Sequence, residues 1–380
     1  MQPSMVPSAQ PSSAPSSAND FVWNVWVSRA GDDLDMQSVD VGLLDLYCMK
    51  DDWRTSRNSY NCTLRMALLY CLYRVPWVAK DRTHCRVYLS PGQVVRFGHN
   101  FEFDIHRYRG LSRGEPVSIS IDFQGGTFDT NGFLRFDLAS DSRNPISLSL
   151  HNVTLVYPSG YWYPTVRVLN AYGFGLSHVR SRGIYYGFHH VAGLVSISHS
   201  HILNTTTNMA TEARDNFFEY FSGVFVSQSG NVSIESSELS KHTAYYFGGA
   251  LTVKSSDSLW VHNCTFADNK ASYGSAIVLD EVGRVRIRST RFLHNRAEGS
   301  GTVYWFSNSM PSPVISDNIF IGNWAGIYGP KISSSFYRIR SDVNETRVEN
   351  YKSGYYPLQM NLSTVDYHGN VIPYTFPLFA

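Results

Sequence analysis

The chain has 380 residues, a formal net charge of +1 and a charged fraction of 17%, below the roughly 25% of an average soluble protein. That balance excludes the basic footprint of a nucleic-acid binder and an acidic tail. No run of about 18 apolar residues predicts a membrane-spanning helix, and the 14% aromatic fraction, with abundant Ser, Asn and Gly, suits a β-rich fold with many turns.

Met1-Gln2-Pro3-Ser4 has neither the charged start nor the apolar stretch of a signal peptide. Pro-Ser pairs at Pro3, Pro7, Pro11 and Pro15 recur every four residues, so residues 1–19 read as an extended Ser/Pro linker. Residues 20–84 read as an N-terminal cap region. Within it, Leu64, Ala67, Leu68 and Cys71 form the stripe of a short amphipathic helix that stops before Pro76. Cys48, Cys62, Cys71 and Cys85 predict two disulfides, with three pairings open. Zinc is the rival, but the spacings of 14, 9 and 14 lack the short Cys-x-x-Cys hairpin of such sites. Cys264 is expected to be a buried thiol.

Seven Asn-x-Ser/Thr sequons stand at Asn61, Asn152, Asn204, Asn231, Asn263, Asn344 and Asn361 and read as glycan acceptors. With the cysteines they point to an extracellular or cell-surface location, and the chain is read as a piece of a longer secreted protein. Any membrane attachment is expected through segments outside it.

From Arg86 onward, short strands separated by Gly, Asn, Asp and Ser replace helical patterns, which excludes α/β alternation. Expected strands cover 117–123, 133–138, 146–155, 165–169 and 191–197. An internal repeat follows. Rows starting at Phe221, Phe247, Tyr273 and Gly299 are each 26 residues apart. Each carries a second strand (at Val232, Leu259, Val285 and Val314), then Leu239, Phe266, Phe292 or Phe320. After that come His242, Asn269, Asn295 or Asn323, and a closing Ala244, Ala271, Ala297 or Ala325. Such a row cannot bury its apolar face alone. Rows coiled one above another at about 4.8 Å form a continuous core, and the Asn column becomes a ladder. The expected fold is mainly β: a single-stranded right-handed parallel β-helix over residues 85–340.

The units Phe266-Ala267-Asp268-Asn269-Lys270-Ala271, Phe292-Leu293-His294-Asn295-Arg296-Ala297 and Phe320-Ile321-Gly322-Asn323-Trp324-Ala325, with Phe247-Gly248-Gly249-Ala250-Leu251, resemble repeats of chlamydial polymorphic outer-membrane proteins and of β-helix proteins of algae and other protists. Asn61-Cys62-Thr63-Leu64-Arg65-Met66-Ala67 is similar to the Cys-Ser-Leu-Arg-Glu-Ala opening of many secreted β-helices, with Met66 in place of Glu and Leu89-Ser90-Pro91-Gly92 matching the turn that follows. The resemblance implies a pectin-lyase-like fold with an N-terminal cap helix. Residues 341–380 look like a partial Ig-like module or a C-terminal cap.

Chemistry is sparse. The Asp-Asp pairs, Asp32-Asp33 and Asp51-Asp52, lie outside the repeats, and Asp257, Asp268 and Asp280 occupy different parts of the row. Paired carboxylates for hydrolysis and a calcium cluster for a lyase are therefore not expected, and neither metal nor cofactor is assigned. The remaining candidates are Arg182, Tyr186 and His189, flanked by His178, His190, His199 and His201, as charge neutraliser, base and acid of a metal-free lyase. His199 and His201 are expected to share a strand face. Tyr161-Trp162-Tyr163, Tyr245-Tyr246 and Tyr304-Trp305-Phe306 are read first as packing and second as sugar-stacking surfaces. Arg284, Arg286, Arg288 and Arg291 read as a solvated face. The favoured reading is a non-catalytic surface scaffold for adhesion or cell-wall contact, with polysaccharides, surface glycans or proteins as partners. The alternative is a polysaccharide lyase or glycoside hydrolase.

Overall fold

The computed structural model describes residues 23–27, 64–73, 84–89, 94–97, 101–104, 117–130, 134–140, 145–156, 165–206, 223–306, 310–341 and 362–373. Almost all strands pair in parallel, each with the strand one coil earlier and one coil later. In the coil 251–276, Leu251–His262 supplies two faces, bent at Ser255; Thr265–Ala267 supplies the third, and Lys270–Tyr273 a short fourth.

The bends have a common cause. Among the described residues, eighteen non-glycine residues have positive φ, a conformation that Asn, Asp and His tolerate better than most. They stack in columns at the corners. The corner between second and third faces is Asn152, His178, His199, Ser236, Asn263, Ser289 and Asp317 in successive coils. The residue after the corner points inward; it is Val153 and Val179 in the first two of these coils and small or polar from Ser200 onward. A Ser or Thr there closes the bend with its side chain, as when the Ser237 hydroxyl donates to the Glu235 carbonyl (2.7 Å) and Thr290 to Arg288 (2.9 Å). Cys264 occupies this position, its Sγ lying 3.2 Å from the His262 carbonyl oxygen, and is buried as expected. At the turn into the first face, a Cβ on Gly249 would meet the Ser275 carbonyl at 2.1 Å, so only glycine fits.

Between these corners apolar columns fill the interior. Leu251, Ile277 and Val303 are in register on the first face, and the Phe266, Phe292 and Phe320 rings stack at 5.4 and 4.6 Å on the third. The Asn ladder forms: the Asn269 amide donates to Asn295 Oδ1 (2.9 Å), and the Asn295 amide donates to Asn323 Oδ1 (2.9 Å). One expected row shifts. Val224 pairs with Leu251, not Ala250, a step of 27 residues. On the second face Val314 pairs with Arg286, and it is Ile315 that pairs with Ile287.

The ends are closed differently. Helix Leu64–Tyr73 buries Leu64, Ala67, Leu68 and Cys71 as their spacing requires, and Cys71 is bonded to Cys85 in the first face-two strand after it. Cys48 and Cys62 lie outside the described residues. Trp23–Val27 pairs in parallel with His84–Leu89, so coil pairing begins within the segment expected to be only a cap. At the other end Phe336–Ser341, Leu362–Asp366 and Val371–Ile372 form a small antiparallel sheet. It docks on the last first-face strands: Trp305 Nε1 donates to His368 Nε2 (3.0 Å), and Ser334 N donates to Asp366 Oδ2 (3.1 Å). Through these bonds the small sheet packs against the last described coil.

Candidate functional site

The histidine-rich segment 178–201 is dispersed by the coil geometry. His178, His190 and His199 are positive-φ corner residues; their clustering reflects turns, and His178 and His199 stack with ring centroids 5.0 Å apart because they occupy one column. The corner at His199 also separates it from His201, which starts the next strand, so the two do not share a strand face. His201 Nδ1 lies 3.2 Å from Glu238 Oε2 on the following coil.

Strand Tyr185–His189 alternates, with Tyr186 and Phe188 facing the core and Gly187 and His189 facing outward. Tyr186 is 1% exposed, and burial raises its phenol pKa although the Ser181 hydroxyl is beside it. His189 folds over Gly187 into the surface, 5% exposed, with Nδ1 2.6 Å from Ser227 Oγ. Burial, helped by Arg167 and His190, pushes its pKa down to about 3. Arg182 lies on the third face, exposed. Three residues apart on one strand, Tyr186 and His189 point to opposite sides, so Arg182, Tyr186 and His189 do not meet at one atom. The lyase arrangement is not assembled.

What the third face does form is a groove of about 830 Å3, lined by Thr154, Val156, Arg180, Arg182, His201 and Asn204 among others. Thr154, Arg180 and His201 are in register on three successive coils. Arg180 and Arg182 extend from the same outward side, over the apolar Val156 and Leu203. Two guanidiniums and an imidazole beside apolar surface bind an anionic or hydroxyl-rich ligand readily. Arg180 and Thr154 were not singled out in the sequence, because these coils are 26, 21 and then 37 residues long and no fixed period aligns them. Among the described residues, no group of three or more His, Cys, Asp and Glu gathers as metal ligands.

Elsewhere, Trp305 points into the core while Tyr245 and Tyr246 are exposed, edge-to-face at 4.5 Å. Phe247 stacks on Tyr273 at 5.5 Å, and with Tyr304 and Phe306 they cover the outer side of the first face. Tyr161, Trp162 and Tyr163 lie outside the described residues. The sequons Asn152, Asn204, Asn231 and Asn263 are all exposed, three of them at corners; Asn61, Asn344 and Asn361 lie outside the described residues.

Residues 183–350 match a family model described as a right handed beta helix region. The protein is a right-handed parallel β-helix. Comparison with curated proteins and with solved structures returned no match. The β-helix match covers the coils with the clearest repeat and the groove's Gly183, His201, Leu203 and Asn204.

Proposed function

We propose that this β-helix is a non-catalytic scaffold at the cell surface or outside the cell, holding glycans or proteins on its outer faces for adhesion or wall contact. The observation that carries the reading is the separation of Tyr186 (inside), His189 (packed against the outer first face) and Arg182 (third face), so that these three share no substrate atom. The exposed sequons support an extracellular setting. An enzyme reading would have to work in the third-face groove, with Arg182 and His201. The test incubates purified secreted protein with pectate, alginate, laminarin and sulfated polysaccharides, scoring new reducing ends and the ultraviolet absorbance of unsaturated uronates. No turnover by folded protein is expected. Turnover that disappears in Arg182→Ala or His201→Ala would replace the scaffold with a lyase or hydrolase.

A further inference from the structure

Although the whole chain carries a net charge of only +1, one coil concentrates positive charge. Arg284, Arg286, Arg288, Arg291 and Arg296 are all exposed, and no Asp or Glu stands between Arg284 and Arg296; the carboxylates of this coil are Asp280, Glu281 and Glu298. The first three alternate with buried Val285 and Ile287, so they stand in single file about 6.6 Å apart at the usual strand rise. Arg291 continues the line across the Ser289 corner, and Arg296 continues it onto the fourth face. None of the ion pairs among the described residues involves them: Asp280 pairs with Lys254 at 3.4 Å, and Glu238 with His201. Two indoles flank the line. The Arg286 guanidinium lies 6.0 Å from the Trp260 ring centre one coil before, and Arg296 lies 4.6 Å from Trp324 one coil after.

Like charges at this spacing repel and gain from an anionic partner. We propose that this arginine band binds a linear anionic glycan, its carboxylate or sulfate groups meeting successive guanidiniums and its sugar faces resting on Trp260 and Trp324. A row one strand wide that follows the coil fits a single extended chain better than the broad plane of a bilayer. The choice of glycan over nucleic acid rests on the extracellular reading above. Guanidinium forks accept either oxyanion, and the indoles supply the apolar contact that a pyranose ring uses.

The test passes the full chain over immobilised polygalacturonate and dextran sulfate, with neutral dextran as control. Retention on either charged polymer at low salt, lost at high salt, is expected; which polymer retains it distinguishes carboxylate from sulfate recognition. Arg284→Ser/Arg286→Ser/Arg288→Ser should bind at least tenfold more weakly with an unchanged melting temperature, whereas Arg338→Ser/Arg340→Ser, exposed on the terminal antiparallel sheet, should bind as before. If the triple variant melts early, Arg286→Gln alone should reduce the slope of log affinity against log salt by about one. Absence of retention, retention undiminished by the band variants, or tighter binding to duplex DNA or phosphatidylserine vesicles would overturn the proposal. None of these results involves turnover, so each leaves the non-catalytic reading to its own assay.

Discussion

His242 stands at the head of the Asn ladder, where the next three coils have Asn269, Asn295 and Asn323. It is fully buried, its Nε2–H donating to the Ile202 carbonyl (2.8 Å) while Nδ1 accepts from Thr205 Oγ1 (2.7 Å). Both nitrogens are engaged as a neutral ring, and burial holds the pKa down to about 4 despite the Ile202 bond. The unfolded side chain titrates near 6.5. Between those values the unfolded state binds the extra proton, so this part of the stability is complete above about pH 6.5 and is lost as pH falls towards 4. The difference corresponds to roughly 3 kcal/mol. In urea titrations from pH 7 to 4, His242→Asn, which keeps the ladder chemistry without a titrating group, should flatten the fall in stability. An unchanged slope would contradict the assignment. Cys264 offers a second check. Because Ser200, Ser237 and Thr290 make the same bond from the same position, Cys264→Ser should shift stability by less than about 1 kcal/mol. A loss of several kcal/mol on thermal melting would mean that the thiol has another role.

These corner residues also show what could be read in advance. The dipeptides Ser236-Ser237, Asn263-Cys264, Ser289-Thr290 and Asp317-Asn318, and likewise Asp268-Asn269 and His294-Asn295, each join a positive-φ residue to an inward polar one. The second set was legible as an Asn ladder because the side chains are identical. The first was hidden because Ser, Asn and Asp are interchangeable at such a bend. The same substitution freedom made His178, His190 and His199 look like chemistry.

At the scale of elements, the N-terminal helix and the first coils are tied by Cys71–Cys85, whose Cα atoms are 5.7 Å apart across 14 residues. Closing a loop of that size is worth about 3 kcal/mol in the chain-entropy view. Solenoid coils contact mainly their neighbours, so the loss should stay local. In Cys71→Ser/Cys85→Ser, amide exchange should accelerate in 84–89 and 117–122 while 277–288 and 291–300 keep their protection. Uniform acceleration would show one cooperative body instead of a stack. Strand positions were legible wherever alternation was clean, as in Val117–Asp122 and Ile146–Val156. Register was less so: the one-residue shift at Val224 arises because the turn before Leu251 contains one residue more than the pattern Phe-x-Gly suggests.

For the whole molecule, the fold was readable because stacked coils impose like residues on like positions, and four coils kept nearly the same length. The candidate site was not, since a site on a solenoid lies across coils, and between Thr154 and Glu238 their lengths vary from 21 to 37 residues. That stacking sets the arginine band beside its tryptophans on the neighbouring coils. Asn152 and Asp317 lie 165 residues apart in sequence yet share one exposed corner column, six coils apart. At about 4.8 Å per coil their backbones are about 29 Å apart. Spin labels on Asn152→Cys and Asp317→Cys, read by pulsed dipolar spectroscopy, measure this directly. A narrow distribution centred near 29 Å, within the reach of the label arms, is the expected result; a broad distribution, or one centred beyond about 45 Å, would contradict the stacked coil.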